Sequence, residues 1–216
     1  MELIGLLLPA ASTAAEAGPP AKRIRADLSP VTDCVQAAAV LHFWFEECKP
    51  WQWFRRDPRF DGLVRDQFWE LTAEAVDGGL TSWEQQPDSA LALVLLLDQF
   101  SRQLWRDQPD AFSGDARALS LSYKALAQGW LAAEERAVRR QFWLMPMLHS
   151  ETLTVVEQSL PLLEAFSDPA TIAVARSHRQ LLLRFGRYPH RNAALGRRST
   201  REEIAYLDKQ QPLQRR

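Results

Sequence analysis

Residues 87–106 read PDSALALVLLLDQFSRQLWR, and this stretch decides the fold. Its first two residues begin a helix, and residues 91–97 are apolar on every side, which predicts a helix at the centre of the molecule. Asp98, Arg102 and Arg106 then fall at i, i+4 and i+8, so they form one polar stripe at the end of that helix. A buried charge needs a partner, so the stripe is either an Asp–Arg bridge that ties helices together or the wall of a site.

Helical signals continue on both sides of this stretch. Aspartate–proline pairs at residues 57–58 and 168–169 predict helix starts, Ser150 is placed as an N-cap, and residues 200–203 form a capping box. Glycines at residues 78–79, 129 and 186 mark helix ends. The sequence therefore predicts helices over residues 31–48, 57–78, 87–106, 109–129, 134–144, 150–166, 168–186 and 200–207, with residues 51–54 in a loop.

No stretch of the chain has the pattern of a β-strand. The sequence predicts an all-α protein of about eight antiparallel helices with short loops, stacked as pairs. Helix pairs of this length suit an α-solenoid or a compact repeat-like array, although the residues show no clear repeat period.

The length of 216 residues suits one domain with tails. Residues 1–30 are rich in Ala, Pro and Ser and predict a disordered tail, residues 31–210 a single helical domain, and residues 211–216 a frayed end. The short apolar run at residues 4–8 lacks the positive flank of a signal peptide, and no run approaches a membrane span. Two cysteines, Cys34 and Cys48, are interpreted as reduced core thiols, so we predict a cytoplasmic protein without a membrane partner.

The charges are unevenly distributed. Of 26 basic and 27 acidic residues, residues 176–216 contain eleven and three, which leaves fifteen basic and twenty-four acidic residues for the rest. The basic segment either docks on the acidic body or keeps part of its charge for a ligand. The acidic body makes nucleic acid an unfavourable partner.

The densest part of this segment, residues 184–197, reads RFGRYPHRNAALGR. Three other polar groups lie at helix ends: Asp98 with Arg102, His149 with Glu151, and His178 with Arg184. If these ends meet the stretch, they form a basic pocket that suits a phosphate or carboxylate, because arginine binds these anions through two hydrogen bonds. A histidine beside a carboxylate in such a pocket can act as a general acid or base. The catalytic candidates are His149, Glu151, His190 and Asp98, and the ligand-binding candidates are Arg102, His178, Arg184, Arg187, Arg191, Asn192 and Arg197.

Several other kinds of site are not indicated. So many arginines are poor neighbours for a metal cation, so no metal site is predicted. No nucleophile signature, Walker loop, zinc-protease motif or dinucleotide fingerprint is present, and no motif names a cofactor.

Several longer motifs follow one another along residues 40–207. They are FWF at 43–45, WF at 53–54 with Asp57 and FD at 60–61, LDQFSR at 97–102, MPMLHSE at 145–151, RFGRYPHRN at 184–192, LGR at 195–197 and ST at 199–200. These motifs resemble the family catalogued as domain of unknown function 924. This resemblance implies an all-helical fold classed with tetratricopeptide-like proteins, mostly of bacterial origin, and no assigned activity. Gln103, Leu148 and Tyr188 depart from the common pattern without touching the charged positions.

Three functional hypotheses remain open. In the first, the arginines of residues 184–197 hold an anionic small molecule, His149 or His190 moves a proton, and Glu151 or Asp98 orients it. In the second, a helical scaffold binds a peptide or protein, with the aromatic residues 51–54 as a contact. In the third, the charged motifs only maintain the fold.

Overall fold

The computed structural model describes residues 30–210. Its described part consists of helices and connecting turns without a β-strand, so the all-α prediction is confirmed. The tails predicted at residues 1–30 and 211–216 lie outside the described residues, except for Pro30, where the first helix begins.

Eleven α-helices can be distinguished in the described range, together with two π-helical turns and three 3-10 turns. Eight of the helices are nine residues or longer and correspond to the eight predicted from the sequence. The helices are α1 Pro30–His42, α2 Pro50–Trp53, α3 Pro58–Val76, α4 Pro87–Leu95, α5 Ser101–Leu104, α6 Asp115–Ala127, α7 Trp130–Ala133, α8 Ala137–His149, α9 Leu153–Phe166, α10 Pro169–Phe185 and α11 Arg201–Gln210. The π-helical turns are Phe43–Glu47 and Leu96–Phe100, and the 3-10 turns are Thr81–Gln85, Pro109–Phe112 and Pro189–Arg191.

Local capping signals act as the sequence predicts. The side chains of Asp57 and Asp168 accept hydrogen bonds from backbone N–H groups in the first turns of α3 and α10. Thr200 and Glu203 exchange the two bonds of a capping box, at 2.7 and 3.2 Å. Gly186 ends α10 with a φ of 68°, a conformation that favours glycine.

Three local predictions are wrong. Helix α8 does not stop before Pro146 but continues through it to His149. Ser150 is not an N-cap, because α9 begins after Thr152, and residues 51–53 form the short helix α2. Since residues 141–148 are all buried, tertiary packing outweighs the hydrogen bond that proline removes from the helix.

The central helix is confirmed. Residues 90–95 of α4 are completely buried, and α4 packs against α1, α6 and α8. The following turn, Leu96–Phe100, is π-helical, so it holds one more residue per turn than an α-helix, and all five of its residues are buried. This turn brings the charged Asp98 into the core.

The last long helices alternate in direction. Arg179 pairs with Glu157 and Arg176 with Glu164, so α9 and α10 run antiparallel. Gln141 and Leu148 of α8 instead face residues 171 and 178 of α10, so α8 and α10 run in the same direction. A tetratricopeptide-like superhelix remains a prediction.

Gly114 joins the start of α6 to the central helix, and we expect its replacement by Ala to destabilise the fold. A Cβ atom at Gly114 would lie 2.5 Å from the carbonyl oxygen of Leu97, which is backbone and cannot rotate away. We expect Gly114→Ala to lower the free energy of unfolding by about 1–3 kcal/mol. Urea denaturation measures this loss, and Gly62→Ala in α3, which has open space around its Cβ position, is the control.

The interpretation of both cysteines as core thiols is half correct. Both are unpaired, but only Cys48 is buried, and Cys34 is exposed on α1. Burial and the neighbouring Glu47 raise the pKa of the Cys48 thiol to about 12. Among the described helices, none has the length and apolar character that crossing a membrane requires.

Candidate functional site

The site is built around a buried carboxylate and a histidine from two different helices. Asp98, in the π-helical turn after α4, is completely buried, and its two oxygens lie 2.8 and 3.0 Å from Nδ1 of His149 at the end of α8. Because an ionised carboxylate only accepts hydrogen bonds, Nδ1 of His149 carries the hydrogen. In the neutral ring, Nε2 is then a free acceptor.

Asp98 is kept ionised by its neighbours. Burial alone would raise its pKa, but the charges of Arg102 and His149, with hydrogen bonds from His149 and Gln99, hold the pKa of Asp98 well below its usual range. Gln99 donates to one carboxylate oxygen at 2.7 Å, and Arg102 lies 3.3 Å from the other. Asp98 is therefore a fixed anion behind the imidazole of His149.

Arg102 continues the network toward the arginine-rich stretch. It donates to Asp115 at the start of α6, and Asp115 also faces Arg191, at 2.8 and 3.3 Å respectively. The Arg191 guanidinium lies between the rings of Phe112 and Tyr188, 4.7 and 4.9 Å from their centroids. Burial and the nearby Asp98 charge raise the pKa of Asp115 despite its two arginine partners. Asp98 and Arg102 of the predicted stripe thus belong to a buried ion network, whereas Arg106 pairs separately with Asp61 of α3.

A second histidine lies near the first. His178 of α10 is partly buried, and its Nδ1 lies 3.1 Å from the carbonyl oxygen of Leu148, to which it donates. Burial lowers the pKa of His178 to about 4, so its ring is neutral at pH 7. Its Nε2 is therefore also an acceptor without a partner among the described residues.

His149 and His178 both border a cavity between α2, α8 and α10, which we call the α8–α10 cavity. Its volume is about 490 Å³, within the range of small-molecule sites. The wall is mainly apolar, with aromatic side chains at the α2 end. The lining residues are Pro50, Trp53, Phe54, Gln141, Met145, Leu148, His149, Asp168, Ala170, Thr171, Val174 and His178.

Three arginines of the basic stretch are paired with glutamates. Arg187 binds both oxygens of Glu203, at 2.7 and 2.9 Å. Arg197 binds both oxygens of Glu151, at 2.6 and 2.9 Å. Arg184 forms an exposed pair with Glu202. These guanidiniums are used within the protein, so their binding to an anionic ligand remains a prediction.

Tyr188 connects this stretch to α8 and α10. Its hydroxyl donates to the carbonyl oxygen of Leu148 at 2.9 Å, and its backbone N–H donates to Glu151 at 2.7 Å. The ring of Tyr188 lies between those of His178 and His190, with centroid distances of 4.7 and 5.6 Å. Burial of the imidazole and the charge of Arg191 lower the pKa of His190 to about 4, although the residue as a whole is exposed.

The structure brings the predicted candidates into two groups. Asp98, Arg102, His149, His178 and Arg191 belong to the continuous network beside the cavity. The remaining candidates, Glu151, Arg184, Arg187, His190, Asn192 and Arg197, lie around the turn that follows α10; Asn192 there donates to Ser199 at 3.0 Å. Across residues 30–210, no group of three His, Cys, Asp or Glu side chains is placed to hold a metal ion.

Sequence reasoning missed several residues of the site. Asp115 joins two predicted arginines, and Gln141, Asp168 and Thr171 supply polar atoms to the cavity. The sequence indicates Asp168 only as a helix cap. No local signal marks Asp115 or Gln141, because Arg191 and Thr171, to which they bind, lie in distant parts of the sequence. Thr171 also binds Asp168 three residues away, as part of the helix cap.

We expect His178 to make stability depend on pH. Below the ordinary histidine pKa of 6.5, the unfolded chain binds a proton at His178 that the folded protein refuses until about pH 4. The free energy of unfolding should therefore fall as the pH is lowered across this range, by on the order of 2–3 kcal/mol. Urea denaturation at several pH values measures the slope. His178→Gln should reduce the slope of the free energy of unfolding against pH. The control His42→Gln, at an exposed histidine, should leave the slope unchanged. Equal slopes in wild type and His178→Gln would contradict the expectation.

Comparison with known proteins places the chain in a family. The family described as "Bacterial protein of unknown function (DUF924)" matches residues 40–211. The chain belongs to this family. The resemblance inferred from the motifs is therefore confirmed, and the matched range contains every residue of the candidate site described above.

A solved structure agrees with this assignment. A protein of unknown function from Agrobacterium tumefaciens is 32% identical, with a TM-score of 0.76, and the match covers 82% of this chain and 98% of that chain. Among curated proteins, no sequence matches this chain significantly. The DUF924 relationship thus establishes family and fold, and the descriptions of these relatives name no activity.

Proposed function

We propose that this protein binds a small organic molecule in the α8–α10 cavity and that His149 transfers a proton to or from it. One observation carries the proposal. The imidazole of His149 is held at Nδ1 by the completely buried Asp98, while its ring borders a cavity of about 490 Å³. A carboxylate that orients a histidine beside a binding cavity is the arrangement that general acid–base catalysis uses.

The chemistry follows from the tautomer. Neutral His149 accepts a proton at Nε2 from a ligand group or a water molecule, and the imidazolium that forms is stabilised by the Asp98 carboxylate. Asp98 stays ionised throughout, since Arg102 and Gln99 also hold its charge. Return of the proton from Nε2 to the ligand restores the starting state. This step requires no anionic group on the ligand.

An anionic ligand would depend on Arg191. Arg184, Arg187 and Arg197 each bind a glutamate, whereas the buried Arg191 has one acceptor, at 3.3 Å. The Nε atoms of Arg191 and Arg197 both lack a partner in the described part of the chain. The anion preference predicted from residues 184–197 therefore rests mainly on the guanidinium of Arg191.

The test is a small-molecule screen read by NMR of the histidine rings. The chain has only four histidines, so each gives a resolvable signal. Ligands of the cavity should shift the signals of His149 and His178 and leave that of the exposed His42 unchanged. Any turnover found with a ligand should be lost in His149→Gln and retained in His42→Gln; turnover that survives His149→Gln would refute proton transfer by this residue.

The scaffold alternative is favoured by one observation. Trp51 and Phe54, on and after α2, are each 59% exposed, which is unusual for large aromatic side chains. If they bind a protein partner, wild-type protein should recover it in stoichiometric amount and Trp51→Ser should not. Recovery that is indifferent to Trp51→Ser would count against this function.

A further inference from the structure

Most polar atoms of the α8–α10 cavity are acceptors, because the donors of His149, Thr171 and His178 are used inside the protein. The hydroxyl of Thr171 donates to Asp168 at 2.6 Å, so its oxygen must accept the 2.8 Å bond from the amide nitrogen of Gln141. This sequence of bonds fixes the orientation of the Gln141 amide and leaves its carbonyl oxygen and one of its two N–H hydrogens without a partner among the described residues.

The two histidines of the cavity also use their N–H hydrogens inside the protein. His149 uses its Nδ1 hydrogen on Asp98, and His178 uses its own on the carbonyl oxygen of Leu148. In the neutral rings both Nε2 atoms are lone-pair acceptors, and no hydrogen bond within the described residues uses either of them. No lysine or arginine lines the cavity, whereas the carboxylate of Asp168 does.

The carboxylate of Asp168 remains charged. Hydrogen bonds from Thr171 and from the backbone N–H groups of the first turn of α10 lower its pKa. These bonds occupy the positive end of α10, so that end is not available to an anionic ligand. The polar part of the cavity therefore disfavours anions for two reasons: its acceptor atoms present lone pairs, and the Asp168 carboxylate is negatively charged.

The rest of the wall favours an apolar group next to a cation. Trp53 and Phe54 lie at the α2 end, and Met145, Leu148 and Val174 cover the sides. Aromatic faces attract a positive charge when they are partly shielded from water. A flexible methionine adapts to ligands of differing shape.

We infer that the α8–α10 cavity takes an amphipathic amine: an alkyl or aryl body against Trp53, Phe54 and Met145, with its protonated amino group at the acceptors of Gln141, Asp168 and His178. This inference rests on the proposed function and names its ligand class. Alkylamines are protonated at pH 7, so three N–H donors face the carbonyl oxygen of Gln141, the carboxylate of Asp168 and Nε2 of His178.

The test is isothermal titration of the full-length protein with phenylbutylamine, phenylbutanol and phenylbutyrate, which share one body and differ in the polar group. We expect the amine to bind roughly tenfold or more tightly than the carboxylate, with the alcohol between them. Asp168→Asn keeps a capping side chain and removes the charge. It should weaken amine binding about three- to tenfold and leave alcohol binding unchanged. Glu164→Gln, which removes an exposed carboxylate outside the cavity, is the control and should change neither.

The contrary outcomes are clear. Carboxylate binding equal to or tighter than amine binding, absence of amine binding, or an amine affinity unchanged in Asp168→Asn would each overturn the inference. The outcome is separable from the proposed function. If all three compounds bind equally and shift the NMR signal of His149, the cavity still binds a small molecule but the amine preference is refuted. Proton transfer is tested separately, by turnover in His149→Gln.

Discussion

Asp98→Asn is expected to lower the free energy of unfolding at pH 7 by about 3 kcal/mol, because it removes a completely buried charge that pairs with Arg102 and His149. Arg102 keeps Asp115 as a partner, which limits the loss. Urea denaturation measures the difference, and Asp88→Asn is the matched control. Asp88 lies on the adjoining helix α4 with a largely exposed side chain, so its replacement should change stability by less than about 0.5 kcal/mol.

The effect of Asp98→Asn should depend on pH with a definite sign. Because the folded pKa of Asp98 lies below the ordinary aspartate value of 3.8, its charge stabilises the protein above about pH 4 and this contribution is lost as the pH falls further. The difference between wild type and Asp98→Asn should therefore shrink below pH 4. A constant difference would mean that the carboxylate acts by shape and not by charge.

The same substitution tests the role of Asp98 at His149. An asparagine can present its N–H to Nδ1 and so favour the other tautomer of the imidazole, which would remove the acceptor at Nε2. Any proton transfer by His149 should then fall by on the order of 10³–10⁴-fold. The ¹⁵N signals of the His149 ring report the tautomer directly. An unchanged tautomer together with unchanged turnover would exclude Asp98 as the orienting group.

Glu151→Gln is expected to lower the free energy of unfolding by about 2 kcal/mol, since Glu151 accepts three hydrogen bonds that hold the turn after α10. Two come from Arg197 at 2.6 and 2.9 Å, and one comes from the backbone N–H of Tyr188 at 2.7 Å. The substitution leaves the partly buried Arg197 without a counter-charge. Urea denaturation at pH 7 measures the loss.

A matched control for Glu151 lies nearby. Glu202 pairs with Arg184, but both side chains are more than half exposed, so Glu202→Gln should change stability by less than about 0.5 kcal/mol. Although burial acts to raise it, the hydrogen bonds from Arg197 and Tyr188 lower the pKa of Glu151, so the effect of Glu151→Gln should fade as the pH drops below about 4.5. If Glu151→Gln is as harmless as Glu202→Gln, Arg197 is free to serve a ligand and the pair is not structural.

These pairs change the interpretation of the arginine-rich stretch. Arg187 and Arg197 each use both arms on one glutamate, Glu203 and Glu151, and so hold the segment after α10 against its neighbours. The hypothesis that the charged motifs maintain the fold is supported here, whereas none of residues 184–197 lines the cavity at His149. Residues 184–197 thus contain both the ion pairs of Arg187 and Arg197, which hold the fold, and Arg191, which belongs to the ion network of the candidate site.

The helices could be predicted because their signals are local. Asp57, Asp168 and the pair Thr200–Glu203 cap helices through atoms within three residues along the chain, and Gly186 ends α10 by its own backbone conformation. The central position of α4 follows from a run of residues that is apolar on all sides. Pro146 shows the limit, because a strong local signal for a helix end yields to the burial of the residues around it.

The sequence by itself determined the helical class, the central helix and the family, since each depends on residue types and short spacings. Of the cavity wall, it indicated His149 and His178 as site residues but not Gln141, Asp168 or Thr171. Only the tertiary structure decided which charges meet. Asp98 and His149 are 51 residues apart, Arg191 and Asp115 are 76 apart, and Arg197 and Glu151 are 46 apart. A guanidinium can serve a glutamate or a ligand equally well by its chemistry, so its role depends on which acceptor the packing of the helices places within about 3 Å.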